Sequence, residues 1–322
     1  MNKISQGRER EAKKNQRSFV NDPVLLSEYE IDLGELFTVF WRGKWLVLGA
    51  GFLFSLISMT YALTLPNQYR VEAVYAPAQS ESGVSGLASQ YGGLAAIAGI
   101  NLGGANTEDI DQAIVLAKSW PFLEAVIQKY NLSPFLFAVV GWEESSQSLV
   151  WDQEKFSVSK NTWLKNYETG ETYGPTSFES YELLSSMILI KNEGGLVRLS
   201  VEFLSPQLAS EWVQILASEL NLYFQLRDMR DAKENIEYLN RKISETGISQ
   251  MQSVFYGMIE SQMKVLMLAE VKLDYLMTEI VPAKVPERKS GPNRKVIVIL
   301  GGLLGVFFAL LYLIFRYIWV KK

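Results

Sequence analysis

The chain of 322 residues contains no cysteine and no histidine. It therefore lacks thiolate nucleophiles, thiolate or imidazole metal ligands, disulfides, and the side chain that most often acts as a general base near neutral pH. Most classes of enzyme lose their usual catalytic groups. The missing cysteines do not decide the compartment, because a domain of about 230 residues buries enough apolar surface to fold without disulfides.

Signatures for common cofactors and ligands are also missing from the sequence. A phosphate-binding P-loop ends in Gly-Lys-Ser/Thr, and no such ending occurs, so we expect no nucleotide site. The glycine-rich stretch 82–104 has too many small and polar residues for a membrane span, and it predicts a loop. We accordingly assign no catalytic, cofactor-binding or metal-binding residue.

Two uncharged apolar runs, Trp45 to Leu65 and Val296 to Phe315, are the clearest positive feature. Each has about the 20 residues that a helix needs to cross roughly 30 Å of hydrocarbon. They predict transmembrane helices at 45–65 and 296–316. The remaining segments are an N-terminal tail (1–44), a middle domain (66–295) and a short C-terminal tail (317–322).

Charge predicts which side of the membrane each segment occupies. Arg42 and Lys44 flank the first span, and the positive-inside rule then places both termini in the cytoplasm and residues 66–295 in the periplasm. The run is too long and too far from Met1 for a signal peptide. The charges around the second span favour the opposite orientation, because more basic residues lie on its predicted periplasmic flank: Lys284, Arg288, Lys289, Arg294 and Lys295. Long segments translocate regardless of charge, so the first span decides.

Net charge also separates the segments: it is +1 over residues 1–44, −8 over 45–295 and +3 over 296–322. An acidic outer domain argues against binding nucleic acid or anionic lipid. In the N-terminal tail, the polar residues Met1 to Ser18 predict disorder. Asp32 and Glu35 resemble a capping box that opens an interfacial helix, with a solvated helix as an equal alternative.

Hydrophobic periodicity predicts a mixture of strands and helices in the middle domain. Alternation indicates strands at Tyr69–Tyr75 and Leu199–Phe203. Two helices are expected at Thr107–Lys118 and Pro121–Tyr130.

A long helical hairpin is predicted at the end of the middle domain. Ser205 can cap a helix that starts with Pro206 and continues through charged residues to about 244, roughly 60 Å at 1.5 Å per residue. Gly247 breaks it, and a methionine-rich second helix is expected over 249–280.

The segment 141–182 combines tryptophans and tyrosines with carboxylates. Its aromatic rings have two interpretations, stacking on sugars or ordinary core packing, and scattered tryptophans favour packing. The carboxylate pairs Glu143/Glu144 and Glu168/Glu171 allow acid–base chemistry on glycosides in principle. Solvated surface charge is the better interpretation, because sequence neighbours rarely form such a pair.

Two features adjoin the second span. The segment 281–295 is rich in proline, which favours extended geometry and predicts a stiff spacer instead of a simple linker. Within the span, small residues recur every four positions on one face, a pattern that lets helices pack closely; Gly51 and Ser55 do the same in the first span. The proposed partner or oligomer interface therefore comprises Pro282, Pro286, Pro292, Gly301, Gly305 and Ala309.

Several stretches together resemble one family, the Wzz polysaccharide co-polymerases. The prolines at 282, 286 and 292 stand where that family has its proline motif. The similar stretches are IDLGELFTVFWRGKWLVLG (31–49), TLPNQYRVEAVYAP (64–77), VRLSVEFLSPQLASEWV (197–213), AKENIEYLNRKI (232–243), SVFYGMIESQMKVLMLAEVKLDYLMTEI (253–280) and PAKVPERKSGPNRKVIVILGGLLG (282–305).

The resemblance implies an α+β protein in which two transmembrane helices flank a periplasmic α/β base with a long projecting helical hairpin. It implies a homo-oligomeric ring in the bacterial inner membrane that needs no cofactor and is not an enzyme. The ring would act with a Wzy-type polymerase on a polysaccharide chain or its lipid-linked precursor, setting the length of lipopolysaccharide O antigen. Because the chain ends at Lys322, the kinase domain of some relatives is expected to be absent.

Three alternatives stay open at this level. In the first alternative, the protein is a co-polymerase for capsule, exopolysaccharide or enterobacterial common antigen. A two-span periplasmic sensor has the same topology, but it needs a cytoplasmic output module that neither tail provides. A glycan-modifying enzyme is weakened by the missing histidine and cysteine.

Overall fold

A computed structural model describes residues 41–78, 107–165, 170 and 172–320. It divides the chain into two compact units, residues 1–61 with 295–322 (the helical unit) and residues 62–294 (the mixed unit). Four expectations lie outside the described residues: the disordered tail 1–18, the Asp32–Glu35 capping box, the loop 82–104 and the pair Glu168/Glu171.

Helices and strands both occur along the described chain. In chain order they are α1 Lys44–Thr64, β1 Tyr69–Pro77, α2 Thr107–Leu116, α3 Trp120–Tyr130, α4 Ser133–Ala138, β2 Val139–Glu143, β3 Ser148–Trp151, β4 Phe156–Ser157, β5 Thr162–Trp163, α5 Ser177–Met187, β6 Ile188–Glu193, β7 Leu196–Phe203, α6 Pro206–Glu245, α7 Ser249–Val271, β8 Met277–Val281 and α8 Arg294–Val320. This mixture confirms the predicted α+β class.

The helical unit consists mainly of α1 and α8. Both are long and apolar enough to cross a membrane, judged by length and composition. Most of their large apolar side chains face outward, including Phe52, Phe307 and Phe315. Such faces suit a lipid environment, where apolar side chains need no burial inside the protein. The second helix begins two residues before the predicted start of the span and continues to Val320.

The mixed unit is built on a four-stranded antiparallel sheet in the order β6-β7-β1-β8. The predicted strands at 69–75 and 199–203 are its two central strands, paired with Val71 opposite Val201. The long helix α6 packs on this sheet, and the rings of Phe203 and Trp212 lie 4.5 Å apart between centroids. Both side chains are almost fully buried, so this contact lies in the main core.

The two predicted helices after residue 106 are confirmed as α2 and α3 with small differences at their ends. Pro121 lies in the first turn of α3, where a missing N–H costs no intrahelical hydrogen bond. Asn131 ends α3 in the left-handed conformation. Leu123 and Ile127 then place α3 against the same core as the sheet.

The first helix of the predicted hairpin is confirmed over Pro206–Glu245. Ser205 caps it, because its side-chain oxygen accepts the Leu208 N–H over 3.4 Å. The chain then turns at 246–248, where Gln252 Nε2 donates to the Thr246 carbonyl over 2.8 Å. The second helix, α7, returns along the first.

The predicted extent of the second hairpin helix is wrong at its C-terminal end. The helix stops at Val271 instead of 280, and Met277–Val281 forms the edge strand β8 beside β1. Residues 278–281 include the β-branched Thr278, Ile280 and Val281, which suit a strand. Pairing with β1, such as Tyr75 opposite Glu279, therefore outweighs the helical pattern that precedes it.

Candidate functional site

The root of the α6/α7 hairpin is held to the sheet by one buried amide side chain. Asn221 Oδ1 accepts the backbone N–H groups of Leu276 and Met277 over 2.8 and 2.9 Å. Its Nδ2 donates to the Met277 carbonyl over 3.0 Å. Asn221 is 6 % exposed, so these bonds form away from water. The amide thus attaches α6 to the start of β8.

A second amide stabilises the end of α7. Gln225 Nε2 donates to the carbonyls of Ala269 and Lys272, and the bond to Lys272 measures 3.1 Å. The last carbonyls of a helix have no partner inside it, so a side chain that donates to them stabilises the terminus. Farther along the hairpin, Leu239 and Met258 form a separate apolar cluster. Amides at the root and apolar contacts beyond it keep the two helices together.

A polar cavity of about 260 Å³ lies between α2 and the hairpin. Arg227 Nη2 lies 2.9 Å from Asp109 and its guanidinium lies 2.8 Å from Asp228. The Tyr275 hydroxyl donates to Asp228 over 2.7 Å. These residues connect α2, α6 and the segment before β8 through one hydrogen-bonded ion cluster.

Burial affects the titration of this cluster. Burial opposes the charge of Arg227, but its hydrogen bonds to Asp109 and Asp228 outweigh that effect, so the pKa of Arg227 is raised. Burial, and then the hydrogen bond to Asp228, raise the pKa of Tyr275. The arginine therefore stays cationic and the tyrosine neutral near neutral pH.

Strand β1 begins beside the proline-rich segment, in an arrangement that the sequence did not predict. Gln68 pairs with Gly291 by an isolated bridge, in which the Gln68 N–H donates to the Gly291 carbonyl over 3.0 Å. The Ser290 N–H donates back to the Gln68 carbonyl over 2.8 Å. Glu202 accepts from Ser290 Oγ over 2.9 Å and pairs with Arg70 over 2.6 Å. We call these contacts the junction network.

Arg294 extends the junction network to the residues that follow α1. Its Nη2 donates to the Leu65 carbonyl over 3.1 Å and to Asn67 Oδ1 over 3.2 Å. Lys289 Nζ donates to the same Asn67 oxygen over 3.0 Å. The chain just after α1 is therefore tied to Lys289 and Arg294 within the mixed unit.

The predicted interface residues fall into two groups. Pro282, Pro286 and Pro292 lie in the non-helical stretch between β8 and α8, which agrees with extended geometry, although Arg294 and Lys295 already belong to α8. This stretch is also hydrogen-bonded to Gln68, so the junction network as well as its prolines holds it in place.

The small residues of α8 form a buried face against α1 of the same chain. Gly301, Gly305 and Ala309 are all buried. A Cβ on Gly305 would lie 2.7 Å from the Ala50 carbonyl oxygen, and one on Gly301 would clash with Ser58. At Gly302 the nearest atoms would be 3.7 Å away, an ordinary contact. The close-packing face thus has an intrachain partner, and its role between chains stays a prediction.

Several aromatic residues of 141–182 pack against other aromatic rings, both within the segment and outside it. The ring centroids of Trp151 and Phe156 lie 5.6 Å apart, and those of Phe156 and Trp163 lie 5.1 Å apart. Phe156 is 3 % exposed. Such a buried ring cluster favours the packing interpretation over a sugar platform. Glu144 accepts a hydrogen bond from Tyr69. Burial, and then this hydrogen bond, raise the pKa of Tyr69 to about 12.

The residues that sequence analysis missed are the polar ones that join distant segments. Asn221 and Gln225 occur inside a long helix, where an amide has no distinguishing pattern. Gln68 and Ser290 are 222 positions apart. Arg227 belongs to a run of charges that reads as a solvated helix face. The described residues contain no group of three or more carboxylate side chains arranged to hold a metal ion.

Comparison with known proteins identifies part of the chain. Residues 29–130 match the family model "Wzz: Chain length determinant protein". The resemblance to Wzz is confirmed over those residues. The Wzz match covers α1, β1, α2 and α3 among the described elements. No curated protein matches the chain.

Two solved structures show a more distant likeness. A "full-length bacterial polysaccharide co-polymerase" is 12 % identical with a TM-score of 0.36, covering 90 % of this chain and 99 % of that one. A "Fragment of WzzB, Polysaccharide Co-polymerase from Salmonella Typhimurium" is 13 % identical with a TM-score of 0.26, covering 70 % and 100 %. Scores below 0.5 do not establish a common fold, so the Wzz assignment rests on residues 29–130.

Proposed function

We propose that this protein is a Wzz-type polysaccharide co-polymerase, a regulator of polysaccharide chain length and not a catalyst. It acts as a homo-oligomer in the bacterial inner membrane together with a Wzy-type polymerase. The polymer is lipopolysaccharide O antigen, extended from a lipid-linked precursor. Both termini are cytoplasmic, and residues 66–295 form the periplasmic domain.

The observation that carries this proposal is the match of residues 29–130 to the chain-length-determinant family. Two further features support it. The chain contains two helices of membrane-spanning length, one on either side of the mixed unit in sequence. The mixed unit contains the 40-residue helix α6, and the chain then returns along it as α7, as the resemblance implied.

Exposed apolar surface on the hairpin supports the homo-oligomer. Met263, Met267 and Val271 are 53 %, 58 % and 81 % exposed and recur every four residues, so they form one ridge along α7. An apolar groove of about 610 Å³ lies between α2 and α6 and is lined in part by Val115 and Tyr223. We call these surfaces the α7 ridge and the α2–α6 groove.

The ridge and the groove lie on different sides of α6. Gln225 and Asn235 point toward α7, where they hydrogen-bond to Ala269 and Gln262. Arg227 points toward α2 and bonds Asp109 and Gln112. The ridge of one copy can therefore enter the groove of the next, and a heterologous contact of this kind generates a ring when its rotation closes.

Deletion and complementation in the source bacterium test the proposed function. We expect the deletion strain to keep making polymer but to lose the preferred length, because a regulator changes the distribution and not the chemistry. The glycan ladder on a gel measures this. Complete loss of polymer with the polymerase still expressed would contradict the proposal and favour an enzyme or export component. An unchanged O-antigen ladder with an altered capsule or common-antigen ladder would reassign the polymer.

A further inference from the structure

The proline-rich segment carries an excess of positive charge that the proposed function does not use. Its cations are Lys284, Arg288, Lys289, Arg294 and Lys295, against the single carboxylate Glu287. We call the first four of these residues the basic segment. They occur in a part of the chain, 45–295, whose net charge is −8. The positive charge is therefore local and does not reflect a generally basic domain.

Carboxylates do not neutralise the basic segment. Among the described residues, none of its four cations lies within 4.0 Å of a carboxylate oxygen. The nearby Glu202 pairs with Arg70 and accepts from Ser290. Lys284, Arg288 and Lys289 are exposed, so their ammonium and guanidinium groups are open to a ligand.

The junction network holds part of the basic segment beside neutral oxygens. Lys289 and Arg294 donate to the side chain of Asn67, and Arg294 also donates to the Leu65 carbonyl. A guanidinium has five N–H donors. Nε of Arg294 is buried and has no hydrogen-bond partner among the described residues. The segment is thus positioned by neutral contacts that leave its charge uncompensated.

Location indicates the ligand. Arg294 is the first residue of α8, whose free N–H groups and dipole favour anions, and α8 has the length and composition of a membrane span. Basic residues are normally scarce on the outer flank of a span. Phosphate is the anionic group that membrane lipids present at this depth, and arginine and lysine bind it by charge-assisted hydrogen bonds.

We propose that the basic segment binds the phosphate groups of membrane lipids where α8 enters the bilayer. The proposal rests on the proposed two-span topology but not on the regulation of chain length. A phospholipid headgroup and the phosphate of a lipid-linked precursor share this chemistry. Binding also explains why the cations occur on the flank that the positive-inside rule disfavours.

Lipid binding to the full-length protein in a neutral detergent tests the proposal. Native mass spectrometry measures retention of phosphatidylglycerol, with phosphatidylcholine as the zwitterionic comparison. We expect the triple variant Lys284→Gln/Arg288→Gln/Lys289→Gln to bind phosphatidylglycerol about 10- to 100-fold more weakly than wild type. The charge-conserving variant Lys284→Arg/Lys289→Arg should bind like wild type, which separates lost charge from lost folding.

The matched control removes the same number of exposed cations elsewhere in the mixed unit, at Lys160, Lys191 and Lys233. The Gln variants at these positions should retain phosphatidylglycerol. A polyprenyl phosphate distinguishes the two sources: displacement of phosphatidylglycerol by it supports the phosphate of a lipid-linked precursor, and no displacement supports the phospholipid headgroup. Equal losses in the two triple variants, or equal binding of the two lipids by wild type, would overturn the proposal. Either result leaves the deletion phenotype unaffected.

Discussion

Asn221 exchanges two hydrogen bonds with the backbone of Met277, donating to its carbonyl over 3.0 Å and accepting its N–H over 2.9 Å. A neighbouring strand would normally make such a pair of bonds. Here a helix side chain makes them, at the point where the chain enters the sheet. The amide therefore holds the start of β8 against α6.

Replacing Asn221 with Leu should destabilise the mixed unit strongly. The N–H groups of Leu276 and Met277 and the Met277 carbonyl would be buried without partners. We expect a loss of about 3 kcal/mol, and thermal unfolding of the detergent-solubilised protein about 6–12 °C lower. Asn240→Leu, at an exposed position of the same helix, is the control. Equal melting of the two variants would show that the buried amide contributes nothing.

Arg227→Met should cost more stability than the same change at Arg230. Arg227 pairs with Asp109 and Asp228, whose side chains are only 16 % and 14 % exposed, and both would lose their cation. We expect a loss of about 2 kcal/mol, discounted for partial solvent access.

Arg230 provides the matched control for that change, because its pair with Asp231 is exposed. We expect Arg230→Met to cost at most about 1 kcal/mol. Denaturant midpoints of the two variants measure the difference. A midpoint for Arg227→Met at or above that for Arg230→Met would contradict the structural role of the cluster.

The packing of α1 on α8 can be tested by a disulfide, since the chain has no cysteine of its own. A Cβ on Gly302 would lie 3.7 Å from that of Ser55, within the range for a disulfide. Ser55→Cys/Gly302→Cys should therefore crosslink within one chain on mild oxidation. Mass spectrometry of proteolytic fragments measures the bond.

The control places the second cysteine at Leu303 instead of Gly302. Leu303 is 59 % exposed and points away from α1. Ser55→Cys/Leu303→Cys should give little intrachain product. Adding Gly305→Leu to the first pair should lower its yield, since bulk at 305 meets the Ala50 carbonyl. Comparable yields from both pairs would refute the helix contact.

The predicted interface residues should affect polymer length. Gly301→Leu/Gly305→Leu adds bulk to a buried face, whereas Pro282→Ala/Pro286→Ala removes rigidity without adding bulk. We expect both to shift the glycan ladder, and the leucine variant to shift it more. Gly302→Ala, where a Cβ meets nothing closer than 3.7 Å, is the control.

Expression must be compared before the ladders are interpreted. If all variants accumulate to wild-type levels and still give a wild-type ladder, the segment is only a tether and the interface assignment is wrong. If the proline variant alone shifts the ladder, the intrachain contact between α1 and α8 is dispensable for length control, and the spacer carries the effect.

Features that depend on neighbouring residues were accessible from the sequence. Ser205 followed by Pro206 marks the start of α6, because the hydroxyl caps the first turn and proline fits it. Alternation in 69–75 and 199–203 marks two strands, and uncharged runs mark the two long apolar helices. Each signal lies within one element, so no knowledge of the rest of the fold is needed.

Contacts between distant residues were decided by the tertiary structure. Met277 is 56 positions from Asn221, and Ser290 is 222 positions from Gln68. Residues 277–281 were predicted to belong to the helix that precedes them, and pairing with β1 makes them a strand. The small residues of α8 likewise predicted a close-packing face from the sequence. Only the tertiary structure identified α1 as the helix that packs against it. Hydrogen bonds and packing depend on spatial neighbours, which periodicity along the chain does not specify.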